Sequence, residues 1–152
     1  MRIGVVVNPD AGLGGKLGFK GSDGRALEAR AAGAEDRAGP RMTHALNAFS
    51  TLLQGSLNRA DSSITLVGWE GRMGGTWVSE QTDKLTFEPI GTTPDTTVDS
   101  DTHDLVRALI EAKVEAILYA GGDGTTRDIV NALESMGAKA QEVPLIGVCL
   151  VV

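Results

Sequence analysis

Apolar residues fall along this chain in short unbroken runs separated by stretches of helical spacing, and the alternation of the two predicts the fold. Ile3-Gly4-Val5-Val6-Val7 is the first run, closed by Asn8-Pro9-Asp10. A β-branched run ended by a turn reads as a buried strand. Ile64 to Val67, Leu85 to Ile90, Ala116 to Ala120 and Val143 to Leu150 are further strand candidates. A helix is predicted from Arg41 to Leu57, with Met42, Ala45, Leu46, Phe49, Leu52 and Leu53 on one face. A second runs from Asp101 to Lys113, its Leu105, Val106, Leu109 and Ile110 forming i, i+4 pairs, with Asp99 or Ser100 expected as the N-cap. A third runs from Thr126 to Met136 and buries Ile129, Val130, Leu133 and Met136, with Gly137 placed just past its end. Strands that are apolar throughout need cover on both faces, and strands alternating with helices pair in parallel. The predicted fold is α/β, a three-layer, mostly parallel sheet flanked by helices.

Composition sharpens this picture at one point. The 152 residues include 20 Gly, nearly twice the usual share of about 7%. The excess is concentrated in residues 9–24, 68–75 and 121–125, each following a predicted strand. In open α/β sheets ligands sit outside the carboxyl ends of the strands, so all three segments are expected to open onto one edge. Residues 11–24 read as a long loop, and such loops in compact domains are usually functional or mobile. Charge and cysteine usage narrow the partners. The net charge of −6 argues against nucleic acid, whose binders carry a basic stripe, and leaves a small phosphorylated ligand open. One Cys excludes a disulfide framework and a Cys-based zinc site. The longest apolar run, Val143 to Val152, is far short of the roughly 20 residues that span a bilayer. The chain enters a strand at once from Met1-Arg2-Ile3, without a signal peptide's pattern, so a cytoplasmic protein is expected.

The familiar nucleotide loops do not fit. Around Gly15-Lys16 a Walker A motif fails twice, because Asp10 stands where Gly is needed and Leu17 where Ser or Thr is needed. The dinucleotide fingerprint begins at Gly12-Leu13-Gly14 and at Gly122-Asp123-Gly124, and meets Leu17 and Arg127 instead of its last glycine. What remains is a strand, Gly121-Gly122-Asp123-Gly124-Thr125, and a helix. Glycines let a ligand approach backbone N–H groups, and a helix N-terminus favours an anion. Thr125-x-x-Asp128 fits a capping box that would start the helix. Asp123 is a negative charge where a phosphate would be expected. It makes sense beside a hydroxyl to be deprotonated or a bound Mg²⁺, both belonging to phosphoryl transfer. The bland alternative is an Asx turn.

Gly121 to Thr125 after an apolar strand resembles the signature shared by NAD kinases, diacylglycerol-type lipid kinases and phosphofructokinases. Val7-Asn8-Pro9-Asp10-Ala11-Gly12-Leu13-Gly14-Gly15, followed by Gly18 to Gly24, is similar to the start of the ATP-NAD kinase-like proteins related to acetoin catabolism protein X, and Arg127-Asp128 fits the same group. The resemblance implies a Rossmann-like N-terminal domain over residues 1–152, in a family that continues into a second, mostly β domain not contained in these residues. It implies transfer of a phosphoryl group from ATP, or from polyphosphate, to the 2′-hydroxyl of the adenosine ribose of NAD. By the same resemblance Asp123 orients or deprotonates that hydroxyl, Gly121, Gly122, Gly124 and Thr125 hold phosphate, and Asn8 with Gly12 lines the neighbouring loop. Mg²⁺ would arrive with the nucleotide, with no metal site of the protein's own. A non-catalytic nucleotide-binding or regulatory module and a lipid kinase domain are the competing readings. Small nucleotides are the expected partners, neither nucleic acid nor a membrane is, and assembly into a homo-oligomer stays open.

Other candidates carry less. Lys16, Lys20, Arg25 and Arg72 are cations that would either meet phosphate or be solvated. His44 and His103 lack a second His or Cys at ligand spacing. Cys149 reads as a buried thiol, Trp69 as a packing residue or a base platform, and Thr92, Thr93, Thr96 and Thr97 as a polar loop.

Overall fold

The structure, a computed structural model, describes residues 1–13, 26–55, 63–78 and 82–148. In chain order these form β1 (Arg2–Val7), α1 (Ala26–Ala31), α2 (Ala38–Gly55), β2 (Ile64–Glu70), a 3-10 turn (Gly75–Trp77), β3 (Leu85–Thr92), α3 (Asp99–Glu111), β4 (Ala116–Ala120), α4 (Asp123–Ser135), α5 (Ala138–Gln141) and β5 (Leu145–Gly147). The strands lie in the order β3-β2-β1-β4-β5, and every neighbouring pair is parallel.

β1 occupies the centre because both its faces are apolar. Ile3, Val5 and Val7 point to one side, where they pack with Leu66, Leu85 and, from α2, Met42 and Leu46. Val6 points to the other and joins Ile117, Leu105 and Leu109 of α3, and Ile129 of α4. The α/β expectation therefore holds, with a sheet between two helical layers. Gly4 sets the spacing on the second side. A Cβ there would lie 2.8 Å from Leu109 Cδ1, so its absence lets α3 sit close to the sheet.

The structure corrects several boundaries. β2 continues through Gly68, Trp69 and Glu70, where the sequence suggested a glycine loop. These residues keep pairing with β3 across a register shift between Gly68 and Trp69. Trp69 lies against Gly91, whose Cβ would be 2.5 Å from the indole Nε1, so the ring packs on the neighbouring strand. α1 was hidden in what read as loop and connection, although Ala26-Leu27-Glu28-Ala29 are good helix formers. α2 starts at Ala38, ahead of the expected Arg41. Pro40 is tolerated there because first-turn N–H groups have no intrahelical partner. Leu52, expected on its buried face, is exposed.

α3 is capped differently from the prediction. Val98 is the N-cap, and Asp99 and Ser100 lie inside the first turn. The Asp101 carboxylate reaches back to accept the Val98 N–H at 2.8 Å, so the acid sits three residues inside the helix. Gly137 does follow α4 with φ +94, the left-handed conformation expected past a helix end. On α4 itself Val130 is partly exposed rather than buried. β5 is shorter than the predicted Val143 to Leu150, and the end of that range, with Cys149, lies outside the described residues.

Candidate functional site

Because the strands all run the same way, β1, β2 and β4 release the chain at one edge of the sheet. Asn8 to Leu13, Gly71 to Gly74 and Gly121-Gly122 meet there. The strand order reverses between β1 and β4, and a crevice forms at such a point in open α/β sheets.

Backbone and side-chain bonds together close the gap between β1 and β4. Asn8 N–H donates to Ala120 O at 3.0 Å, and Val7 N–H to Met73 O at 2.9 Å, so the loop after β2 folds back over the end of β1. The Asn8 amide then works in both directions. Its Oδ1 accepts the Asp10 N–H at 3.0 Å, and its Nδ2 donates to Thr125 Oγ1 at 2.8 Å across 117 residues of sequence.

Thr125 belongs to the first turn of α4, which corrects the expected capping box. Gly122 is the N-cap and has no side chain to offer, so Thr125 is the third helical residue and its hydroxyl serves Asn8. The Asx-turn alternative also falls, since Asp123 is the first residue of the helix. The first intrahelical bond runs from Thr126 N–H to Gly122 O at 3.1 Å. The N–H groups of Asp123, Gly124 and Thr125 come before it, where a helix has no carbonyl to offer them.

The glycines divide into two kinds. A Cβ added at Gly122 or Gly124 would meet nothing within 4 Å, and both face open space beside the exposed Asp123. At Gly121 a Cβ would fall 2.5 Å from Thr125 Cβ and 2.6 Å from its Cγ2, so this glycine makes room for the buried threonine. Across the edge Gly12 takes φ +79 in the turn after β1 and is exposed.

Beside Asn8 opens a cleft of about 370 Å³, walled by Asp10, Met73, Thr97, Asp99 and Thr102 among others. The described residues that line it include no Lys, Arg or His, and its polar groups are carboxylates, hydroxyls and the Asn8 amide. Asp10 is pinned on both oxygens: Arg30 Nη2 donates to Oδ1 at 2.9 Å, and Thr97 Oγ1 to Oδ2 at 2.9 Å. Arg30 also donates to Pro9 O at 2.9 Å and pairs with Asp36 Oδ1 at 2.8 Å, which Arg72 meets at 2.8 Å as well. Burial alone would raise the Asp36 carboxyl, but the hydrogen bonds from Arg72 and Arg30 outweigh it and hold the group below its ordinary value. Burial likewise works to lower the Arg30 pKa, and bonds to Asp10 and Asp36 leave it raised.

The ATP-NAD kinase N-terminal domain profile matches residues 3–151. This chain belongs to that family. No curated protein and no solved structure gives a match. An ATP-NAD kinase N-terminal domain is a kinase-like nucleotide-binding domain, and the Rossmann-like α/β architecture is the one described above.

Of the sequence-predicted residues, this kinase-like domain brings Asn8, Gly12, Gly121, Gly122, Asp123, Gly124 and Thr125 to the same sheet edge. Asp123 stands on the α4 side of Asn8 and does not line the cleft. Lys16, Lys20 and Arg25 fall outside the described residues. Arg72 is tied to Asp36, Thr96 and Thr97 line the cleft, and Thr93 Oγ1 donates to Glu70 O at 2.7 Å. His44 and His103 sit in α2 and α3 as expected. No group of three or more potential metal ligands occurs among the described residues. Sequence reasoning missed Arg30 and Asp36. No local pattern marks them, because Asp10 and Arg72 lie in other segments and the spacing of Arg30 to Asp36 is one at which neither a helix nor a strand brings side chains together.

Proposed function

We propose that this domain serves transfer of the γ-phosphoryl of ATP, or the terminal phosphoryl of polyphosphate, to the 2′-hydroxyl of the adenosine ribose of NAD, giving NADP. The observation that carries the reading is the Asn8–Thr125 hydrogen bond, which joins the β1 loop to the turn bearing Asp123 at the point where the strand order reverses. Asp123 is exposed at the first position of α4. Its carboxylate is the base that orients the 2′-hydroxyl and takes its proton as the new O–P bond forms and the bond to the leaving phosphate breaks. Phosphate oxygens are received by the N–H groups of Gly124 and Thr125 and by the backbone at Gly121 and Gly122, which is open at Gly122. Asn8 and Gly12 border the same ligand, part of which occupies the cleft beside Asn8. Mg²⁺ arriving with the nucleotide would supply neutralisation of phosphate charge. We assign the remainder of the NAD site to a second, mostly β domain outside residues 1–152, and the activity to the cytoplasm. No described helix is long and apolar enough to cross a membrane.

Asp123→Asn tests the reading in the enzyme that carries both domains. Loss of a positioned base is expected to slow NADP formation by about 10²–10⁴-fold, with folding and ATP binding retained. Unchanged turnover would remove Asp123 from the chemistry. Titration with ATP, NAD and NADP separates the competing readings: binding without turnover by the unaltered protein favours a regulatory module, and transfer to diacylglycerol instead of NAD favours a lipid kinase.

A further inference from the structure

The polar groups around the cleft form one continuous chain. Thr97 holds Asp10, the Asp10 N–H holds Asn8, and Asn8 holds Thr125 in the first turn of α4. Between β3 and α3 the segment Pro94 to Val98 is exposed except at Thr97, which turns inward onto Asp10. Arg30 grips the other Asp10 oxygen and the Pro9 carbonyl from below. Two oxygens of one carboxylate thus fasten two walls of the cleft.

We propose that Asp10 is a positioning residue that sets the width of this cleft and so its affinity for nucleotide. Clamped by Asp10, the 96–98 segment cannot swing away from the β1 loop, and the cleft keeps its shape before a ligand arrives. Preorganisation of this kind spares a ligand the ordering of the loop it binds. Because Asn8 shares the chain, the clamp also registers the cleft against the turn that carries Asp123. The inference rests on the proposed nucleotide site for the identity of the ligand, and on geometry alone for the clamp.

Thr97→Val removes only a hydroxyl from a largely exposed segment and isolates the clamp. In the full chain, ATP is expected to bind about fivefold more weakly, because the released 96–98 segment must be ordered by the ligand at about the worth of one hydrogen bond, and thermal stability falls by no more than that worth. Asp10→Ala should weaken binding further, and adding Thr97→Val to it should cost nothing more, because the shared contact is already gone. Asp10→Asn keeps an acceptor for Thr97 and should recover part of the affinity. Unchanged ATP affinity in Thr97→Val, or fully additive losses, would overturn the proposal. Hydrogen exchange at the Asp10 and Val98 amides gives a readout independent of ligand. If the unaltered chain binds neither ATP nor NAD, the functional reading fails. Faster exchange at those amides in Thr97→Val would then still uphold the clamp, and unaltered exchange would refute it.

Discussion

Replacing Gly121 by Ala probes the contact that seats Thr125. Gly121 has no positive φ, so alanine strains no dihedral, and the question is one of space alone. The new Cβ would lie 2.5 Å from Thr125 Cβ and 2.6 Å from Cγ2. Thr125 is buried and anchored to Asn8, so it cannot move without breaking that bond. Overpacking of this sort costs about 1–3 kcal/mol, and the lost hydrogen bond about 0.5–1.5 kcal/mol. Against these stands the lower chain entropy of unfolded alanine, about 0.4–1 kcal/mol. The net expectation is a loss of about 0.5–4 kcal/mol, which lowers the Tm of a chain this size by about 1–16 °C. Urea unfolding followed by circular dichroism measures it. The geometry makes a sharper demand on the second-site background. In Thr125→Ala the offending Cβ remains, so Gly121→Ala should still cost more than about 1 kcal/mol by the same overpacking argument. In Thr125→Gly the added cost should fall below about 0.5 kcal/mol, the range of substitutions without a steric conflict. Equal costs in the two backgrounds, or a Gly121→Ala chain as stable as the original, would refute the steric account.

Two further outcomes follow from the packing and the charges. Gly39→Ala should destabilise the chain by about 1–3 kcal/mol, read from the same urea curves, because its Cβ would overlap the Trp77 ring, which is fixed by a 2.7 Å bond from Nε1 to Arg72 O. The Asp36 carboxyl is held below the ordinary aspartate value by Arg72 and Arg30, so its contribution is present above that ordinary value and is lost as pH falls through the lowered one. Asp36→Asn should therefore reduce stability at neutral pH and flatten the acid side of a Tm-against-pH curve. An unchanged acid limb would show that the Arg30–Asp36–Arg72 pairing makes no net contribution.

The sheet was legible because β1 and β4 are apolar on both faces, a pattern that leaves them few places except the middle of a parallel sheet. The predicted β4 and the observed Ala116–Ala120 coincide for that reason. Helix starts were less legible. Val98 and Gly122 are N-caps without a capping side chain, and the residues that conventional rules select, Thr125 and Asp99, lie inside the first turns. The gathering of glycine segments at one edge could be read from strand direction alone. The Asp10–Arg30–Asp36–Arg72 chain could not, because two of its links join segments distant in sequence and the third, Arg30 to Asp36, has a spacing at which neither a helix nor a strand brings side chains together.

The central place of β1 has a consequence for the order of events as the chain is made. Its neighbours in the sheet are β2 and β4, and the 2.7 Å bond from Arg2 N–H to Glu115 closes a loop of 113 residues. An emerging polypeptide must therefore keep one of its most apolar segments without its β4 partner until Ala116–Ala120 has been made. Closing such long loops late slows folding and prolongs exposure of sticky surface. The same delay fixes when the site can exist: Asn8 finds Thr125 only after the fourth strand has docked. Nucleotide affinity should thus appear in a nascent or refolding molecule only once β1 and β4 have paired, and its appearance would mark the moment of that docking.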